Sequence, residues 1–141
     1  MNFLSFIENK IAVFDGAFGT ALQKKAGNAG PIPEKLNVER PELIAEIHRE
    51  YAEAGADVIT ANTFGANEIK VGSRELSDKL IRAGVEVARE AAGGKFVALD
   101  IGPLGRLLEP MGDISFEGAY EAYAHVVEAG RGADLIIIDE M

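Results

Sequence analysis

The sequence predicts an α/β fold with parallel strands, and three observations predict it. Four short apolar runs each end on a polar, functional side chain: Ile11 to Asp15, Val58 to Asn62, Phe96 to Asp100, and Leu135 to Glu140. The runs start about 38 to 47 residues apart, and a helical pattern precedes each of the last three. Ligands in parallel β/α proteins bind at the carboxyl ends of strands, which is where these polar residues fall. A complete barrel of this type needs roughly 200 to 250 residues. The 141 residues here, ending one past the fourth strand end, are therefore read as the N-terminal half of a TIM-type (β/α)8 barrel. The expectation is about four βα units in a single domain over 1–141, truncated at Met141.

The elements follow in order. Phe3, Leu4, Phe6 and Ile7 predict a short amphipathic helix at the barrel floor. Strand one, Ile11 to Asp15, runs into a glycine-punctuated turn, Asp15-Gly16-Ala17-Phe18-Gly19-Thr20. Gly16 and Gly19 permit close backbone approach or positive φ. Residues 26–40 read as a loop rich in Gly, Pro and Asn. Pro41 suits a first helical turn, and Leu43, Ile44, Ile47, Tyr51 and Ala54 recur at helical spacing, with Gly55 as C-cap. A strand rich in β-branched residues begins at Val58.

A second long helix is predicted from about Glu75 to Ala92, with Leu76, Leu80, Ile81, Val85 and Ala88 on one stripe. Glu75–Lys79 and Asp78–Arg82 are i,i+4 ion pairs on its outer face. After strand three, the loop Ile101 to Ile114 is long enough to carry function. Ser115 caps a third helix carrying Phe116, Ala119, Tyr120, Tyr123 and Val127. The tyrosines there read as helix packing. Glu53-Ala54-Gly55-Ala56-Asp57 and the stretch from Glu128 to Asp134 form a faint repeat of helix end, turn and strand start.

The composition is 48% hydrophobic and 26% charged, enough apolar residues for a packed core. A net charge of -9 argues against nucleic acid or an anionic membrane as partner. With no cysteine, the chain by itself offers neither a disulfide nor a thiolate zinc site. The N-terminus lacks a basic n-region, and no apolar run reaches membrane-span length, so the expectation is a cytoplasmic protein.

Alternation along a strand puts residues i and i+2 on one face. Val13 then pairs with Asp15, Thr60 with Asn62, Ala98 with Asp100, and Ile138 with Glu140. If that shared face is the barrel interior, Asp15, Asn62, Asp100 and Glu140 converge at its mouth and Asp139 turns toward the helices. Alone, a strand-end Asp is read as a cap or turn former. Phe18 and Phe64 read equally as pocket lining and as core. His48, among polar residues, reads as surface, and His125 as a mid-helix residue without a catalytic role. The Gly16 to Gly19 turn is not a phosphate loop, because Gly-Lys-Ser/Thr is missing.

Three strings stand in register: Asp15-Gly16-Ala17-Phe18-Gly19-Thr20, Gly55 to Gly65, and Asp100-Ile101-Gly102-Pro103. Together they resemble the homocysteine-binding module of the homocysteine S-methyltransferase family, including the N-terminal module of cobalamin-dependent methionine synthases. Pro33-Glu34-Lys35-Leu36-Asn37 and Glu42 to His48 also fit that pattern. The resemblance implies a barrel binding homocysteine at its C-terminal face for zinc-assisted methyl transfer in methionine biosynthesis. It implies Asp15 and Glu140 as ligands of the substrate amino group, Gly16 as a backbone position close to the substrate, and Asn62 and Asp100 at the mouth. The zinc-ligating cysteines of the family lie in the second half of the barrel. This chain is therefore expected to hold no catalytic residue and no metal ligand, and to be inactive alone. A second half-barrel or a cobalamin or folate module is the expected partner, with methylcobalamin a candidate donor. Two other readings stay open. One is a non-catalytic half-barrel that docks to a partner chain. The other is a metal-dependent barrel lyase or hydrolase with Asp15, Asp100 and Glu140 as oxygen ligands.

Overall fold

The computed structural model describes residues 1–140. Three parallel strands, β1 (Val58–Thr60), β2 (Phe96–Ile101) and β3 (Leu135–Ile138), form one sheet in the order β1-β2-β3. Register aligns Thr60 with Ala98, Asp100 with Ile137, and Ile101 with Ile138. The helices are α1 (Phe3–Ile7), α2 (Phe18–Ala26), α3 (Leu36–Glu39), α4 (Pro41–Glu53), α5 (Glu68–Val71), α6 (Arg74–Ala91) and α7 (Phe116–Ala129). A 3-10 turn, Pro33–Lys35, leads into α3.

One face of the sheet carries the main core. Ile59, Val97, Leu99 and Ile101 pack against Leu80, Ile81, Val85 and Ala88 of α6 and Val126 of α7. The α6 residues recur at the helical period, so a single stripe meets the sheet. Both long helices start at serine caps: Ser73 Oγ accepts from Leu76 N–H at 3.2 Å, and Ser115 Oγ from Gly118 N–H at 3.0 Å. Such a cap is worth about 1 kcal/mol. Gly130 ends α7 against Leu99; a Cβ there would lie 2.5 Å from Leu99 Cδ2.

Several expectations are corrected. Strand one is not a full strand but a single parallel bridge from Phe14 to Val58. Asp15 N–H donates to the Val58 carbonyl at 3.0 Å, while Ile11 is 91% exposed. Without cover on its outer end, the run does not extend into a ladder. The 26–40 loop contains the 3-10 turn and α3, because Leu36 joins Leu22, Leu43, Ile44 and Ile47 in a second buried cluster. His48 is not at the surface but fully buried. It stands at i+4 from Ile44, on the same stripe as Ile47 and Tyr51. Tyr120 is exposed, and Tyr123 is the tyrosine turned inward, donating to the Gly102 carbonyl at 3.1 Å.

The expected Glu75–Lys79 and Asp78–Arg82 pairs do not form. Arg74 instead reaches Glu68, and Arg89 reaches Asp134 at 2.8 Å. An exposed i,i+4 pair gains only a few tenths of a kcal/mol, too little to fix two long side chains.

The faint repeat has a structural meaning. Asp57 N–H donates to the Val13 carbonyl while Val13 N–H donates back to Asp57 Oδ2 at 3.0 Å. Asp134 and Val97 exchange the same two bonds, both 2.8 Å. In each case the Asp at a strand start clamps the preceding apolar run. The 11–15 segment thus occupies a strand position although it is barely laddered.

Candidate functional site

At the carboxyl ends of the strands lies a cavity of about 570 Å³. Its wall is built by the 14–20 turn, the 33–34 turn, the end of β1 and its loop, Asp100 of β2, and Ile137, Asp139 and Glu140 at the end of β3. Five carboxylates line it: Asp15, Glu34, Asp100, Asp139 and Glu140. Among the described residues, no lysine, arginine or histidine does.

Asp15 leaves its short bridge directly into this wall. Its carboxylate accepts from Thr60 N–H at 2.9 Å and from Thr60 Oγ1 at 2.7 Å. Burial pushes its pKa up, against the opposing pull of the Thr60 bonds. Asp100 is held through its backbone: its N–H donates to Thr63 Oγ1 at 3.0 Å, and Thr63 Oγ1 donates to its carbonyl at 2.8 Å. Its side chain is left unsatisfied, with Oδ1 buried and without a partner. Burial first, then the charges of Asp139, Asp15, Glu140 and Glu34, push its pKa up to about 7. Removed from water and surrounded by like charges, this carboxyl holds its proton longer than a free one does.

Gly16 lies under the Tyr51 ring, where a Cβ would meet ring atoms at 3.0 Å. Tyr51 also donates to the Ala17 carbonyl at 2.7 Å, fixing the turn. Asn62 lines the cavity, but its amide is engaged elsewhere. It donates to Asn37 Oδ1 at 3.0 Å, and Asn37 donates to the Asn62 carbonyl at 2.8 Å and to that of Leu80 at 3.0 Å. Gly84 of α6 makes room, since a Cβ there would fall 2.7 Å from Asn37 Nδ2. Phe18 and Phe64 both line the cavity.

Alternation gives the right face on β1 and β2, where Thr60 pairs with Ala98, and the wrong one in the 11–15 run and on β3. Paired residues in a parallel ladder share a face. Phe14 is paired with Val58 and Asp100 with Ile137, so Phe14 and Ile137, not Val13 and Ile138, share the cavity-side face. Asp139 is then the in-phase residue of the last strand, and it lines the cavity. Glu140 joins it because its backbone turns left-handed, at φ 55°. The strand-end irregularities bring Asp15 and Glu140 to the wall.

Sequence reasoning missed Glu34 and Asp139 as lining residues. Glu34 was legible only as the charged residue in Pro33-Glu34-Lys35-Leu36-Asn37. Nothing in the spacing told that the 3-10 turn would bury it to 3% exposure.

The comparisons bear on what such a site belongs to. The family model described as homocysteine S-methyltransferase matches residues 12–141. The chain belongs to the homocysteine S-methyltransferase family. It is 32% identical over 155 aligned positions to the methionine synthases of Mycobacterium tuberculosis and Mycobacterium leprae, covering 96% of this chain and 13% of each of those proteins. Among solved structures it resembles the Escherichia coli homocysteine methyltransferase MmuM. The oxidized form matches with TM-score 0.80 at 30% identity, over 94% of this chain and 54% of that one. The metallated form matches with TM-score 0.79 at 28% identity, over 95% and 55%. The chain thus spans a small part of the methionine synthases and about half of the solved relative, consistent with a partial barrel. The family is the one that the motif strings resemble.

A zinc ion does not fit the residues present. The sequence has no cysteine, and no three His, Cys, Asp or Glu side chains stand together as a metal site among the described residues. His48 lies in the helix-side core beside Phe18, not on the cavity wall. No helix among the described residues is long and apolar enough to cross a membrane.

Proposed function

We propose that this chain supplies the amino-acid-binding part of a homocysteine S-methyltransferase, holding the ammonium and carboxylate end of homocysteine at the strand ends. The observation that carries the reading is the cavity wall of five carboxylates with no basic side chain. A buried cation needs charged partners, and an ammonium among carboxylates obtains them. The opposite charge of an amino acid has a place in the same cavity. Residues 17–20, the entry and first turn of α2, line it, and no side chain caps that helix start. Free N–H groups at a helix start suit a carboxylate.

In this reading Asp15, Asp100, Asp139 and Glu140 face the ammonium, Gly16 permits close approach of the turn, and Asn62 holds the wall through Asn37. Zinc and a methyl donor such as methylcobalamin would come from other modules, and no step at the sulfur is assigned to residues of this chain. A second half-barrel or a cobalamin or folate module remains the partner that the reading calls for.

Calorimetric titration with homocysteine and with 4-mercaptobutanoate, the same molecule without its amino group, tests the reading. Homocysteine should bind more tightly, and its advantage should grow from pH 6 to pH 8 as Asp100 ionises through about 7. Equal affinity for the two compounds at both pH values would defeat it.

A further inference from the structure

Glu34 is a carboxylate of the wall that stands outside the strand ends and that the family strings do not single out as a ligand. It is 3% exposed, yet it lines the cavity. Its Oε1 accepts the Gly65 N–H at 2.6 Å. Its Oε2 receives no hydrogen bond from the described residues. A carboxylate this buried and lining a cavity offers its unbonded oxygen to a cation that enters.

The surroundings are shaped to keep this carboxylate in place. Gly65 has no side chain where a Cβ would stand 2.8 Å from Oε1 and 3.1 Å from Oε2. The Gly65 N–H fixes the carboxylate plane, which aims the other oxygen. Glu34 approaches from the 3-10 turn, whereas Asp15, Asp100 and Asp139 stand at the strand ends.

We infer that Glu34 is a substrate-binding residue, its Oε2 receiving the ammonium group of the amino-acid substrate from the side opposite the strand ends. The inference rests on the proposed function above and adds a specificity element to it: a ligand with a protonated amine is selected over one without. The Gly65 bond is the positioning device.

The test is an NMR titration of the ¹⁵N-labelled protein with homocysteine and with 4-mercaptobutanoate, comparing wild type with Glu34→Gln. The amide keeps an oxygen that can accept the Gly65 N–H but removes the charge. Glu34→Gln should weaken homocysteine about tenfold or more, the range for a lost hydrogen bond to a charged group, and leave 4-mercaptobutanoate unchanged. The Gly65 amide resonance should move on binding homocysteine to wild type and move less in the variant. Weakening of both compounds alike would make Glu34 a loop-positioning residue and overturn the inference. So would an unchanged preference for homocysteine. If wild type shows no preference for the amine, the proposed function itself fails, a result distinct from either. Should Glu34→Gln not fold, Gly65→Ala takes its place, since its Cβ displaces the carboxylate. The preference for homocysteine should then fall, and a preference equal to that of wild type would again overturn the inference.

Discussion

The two faces of the same three strands are built for different ends. Toward α6 and α7 stand Ile59, Val97, Leu99 and Ile101, none more than 6% exposed. Toward the cavity stand Thr60, Asp100 and Ile137, with Asp139 in phase beyond them. One face is apolar and interlocked. The other gathers like charges and leaves Asp100 Oδ1 without a partner. The charged wall stands on a sheet whose reverse side is buried against α6 and α7 along β1 and β2. Stability and site are divided between alternate positions of each strand.

Leu99→Ala should show the largest effect. Leu99 is 1% exposed and sits against Gly130. Losing it removes transfer energy and opens a cavity, for about 3 kcal/mol in denaturant unfolding. Gly130→Ala alone should also destabilise, by about 1 to 3 kcal/mol from overpacking. Together the two should cost less than their sum, because the new methyl group enters the space left by Leu99. Strict additivity would mean that the helix face is looser than its geometry.

The next effect is acid sensitivity from His48, on the buried face of α4. Both ring nitrogens are buried without partners, and burial lowers its pKa from 6.5 to about 4. Below pH 6.5 the unfolded chain takes up a proton that the folded one refuses. The stability is therefore complete above 6.5 and is lost as pH falls toward 4. About 2 kcal/mol should disappear between pH 7 and pH 5. Urea unfolding of wild type and His48→Leu at the two pH values measures it. The variant should lose less stability than wild type, and parallel losses would remove His48 as the cause.

Asp100 has the opposite sign. Its folded pKa is raised from 3.8 to about 7, so stability is complete below 3.8 and falls as pH rises through 7. Asp100→Asn should be more stable than wild type at pH 8, the difference closing toward pH 4. Solvent in the open cavity screens the charges, leaving about 1 kcal/mol. A destabilised Asp100→Asn at pH 8 would show that the cavity wall is not under charge repulsion. The same variant should bind homocysteine more weakly, so stability and affinity would move in opposite directions.

How much of this was legible in the sequence follows the same division. The helix face was, because Leu80, Ile81, Val85 and Ala88 state their period and Ser115 marks the start of the next helix. The cavity face was legible in its composition but not in its phase. Asp15 and Glu140 come from a bridge and a left-handed residue, where alternation no longer applies, and Asp139 follows the register that alternation misassigned. His48 was hidden because its polarity spoke for the surface while its position on the Ile44 stripe spoke for the core. Glu34 and the Asn37–Asn62 pair lie in or against the 33–39 turn and helix, whose placement depends on contacts 25 or more residues away in sequence. Such contacts leave no local periodicity to read.

The smallest effect isolates what makes a face protective. Ile101 and Ile138 are register partners on the same face of adjacent strands. Ile101 is 6% exposed beneath the helices, while Ile138 is 69% exposed, with no described helix over it. Removing one methyl group from each asks whether strand position or helical cover sets the cost. Ile101→Val should lose about 1 kcal/mol, the usual value for a buried methylene. Ile138→Val should stay within about 0.3 kcal/mol, since an exposed side chain loses little transfer energy and Val keeps the β-branched shape that suits a strand. Equal costs in parallel urea titrations would mean that Ile138 is covered in solution by a surface absent from the described residues. A partner that lays an apolar element over β3 should then raise the cost at Ile138 toward that at Ile101 and leave Ile101 unchanged.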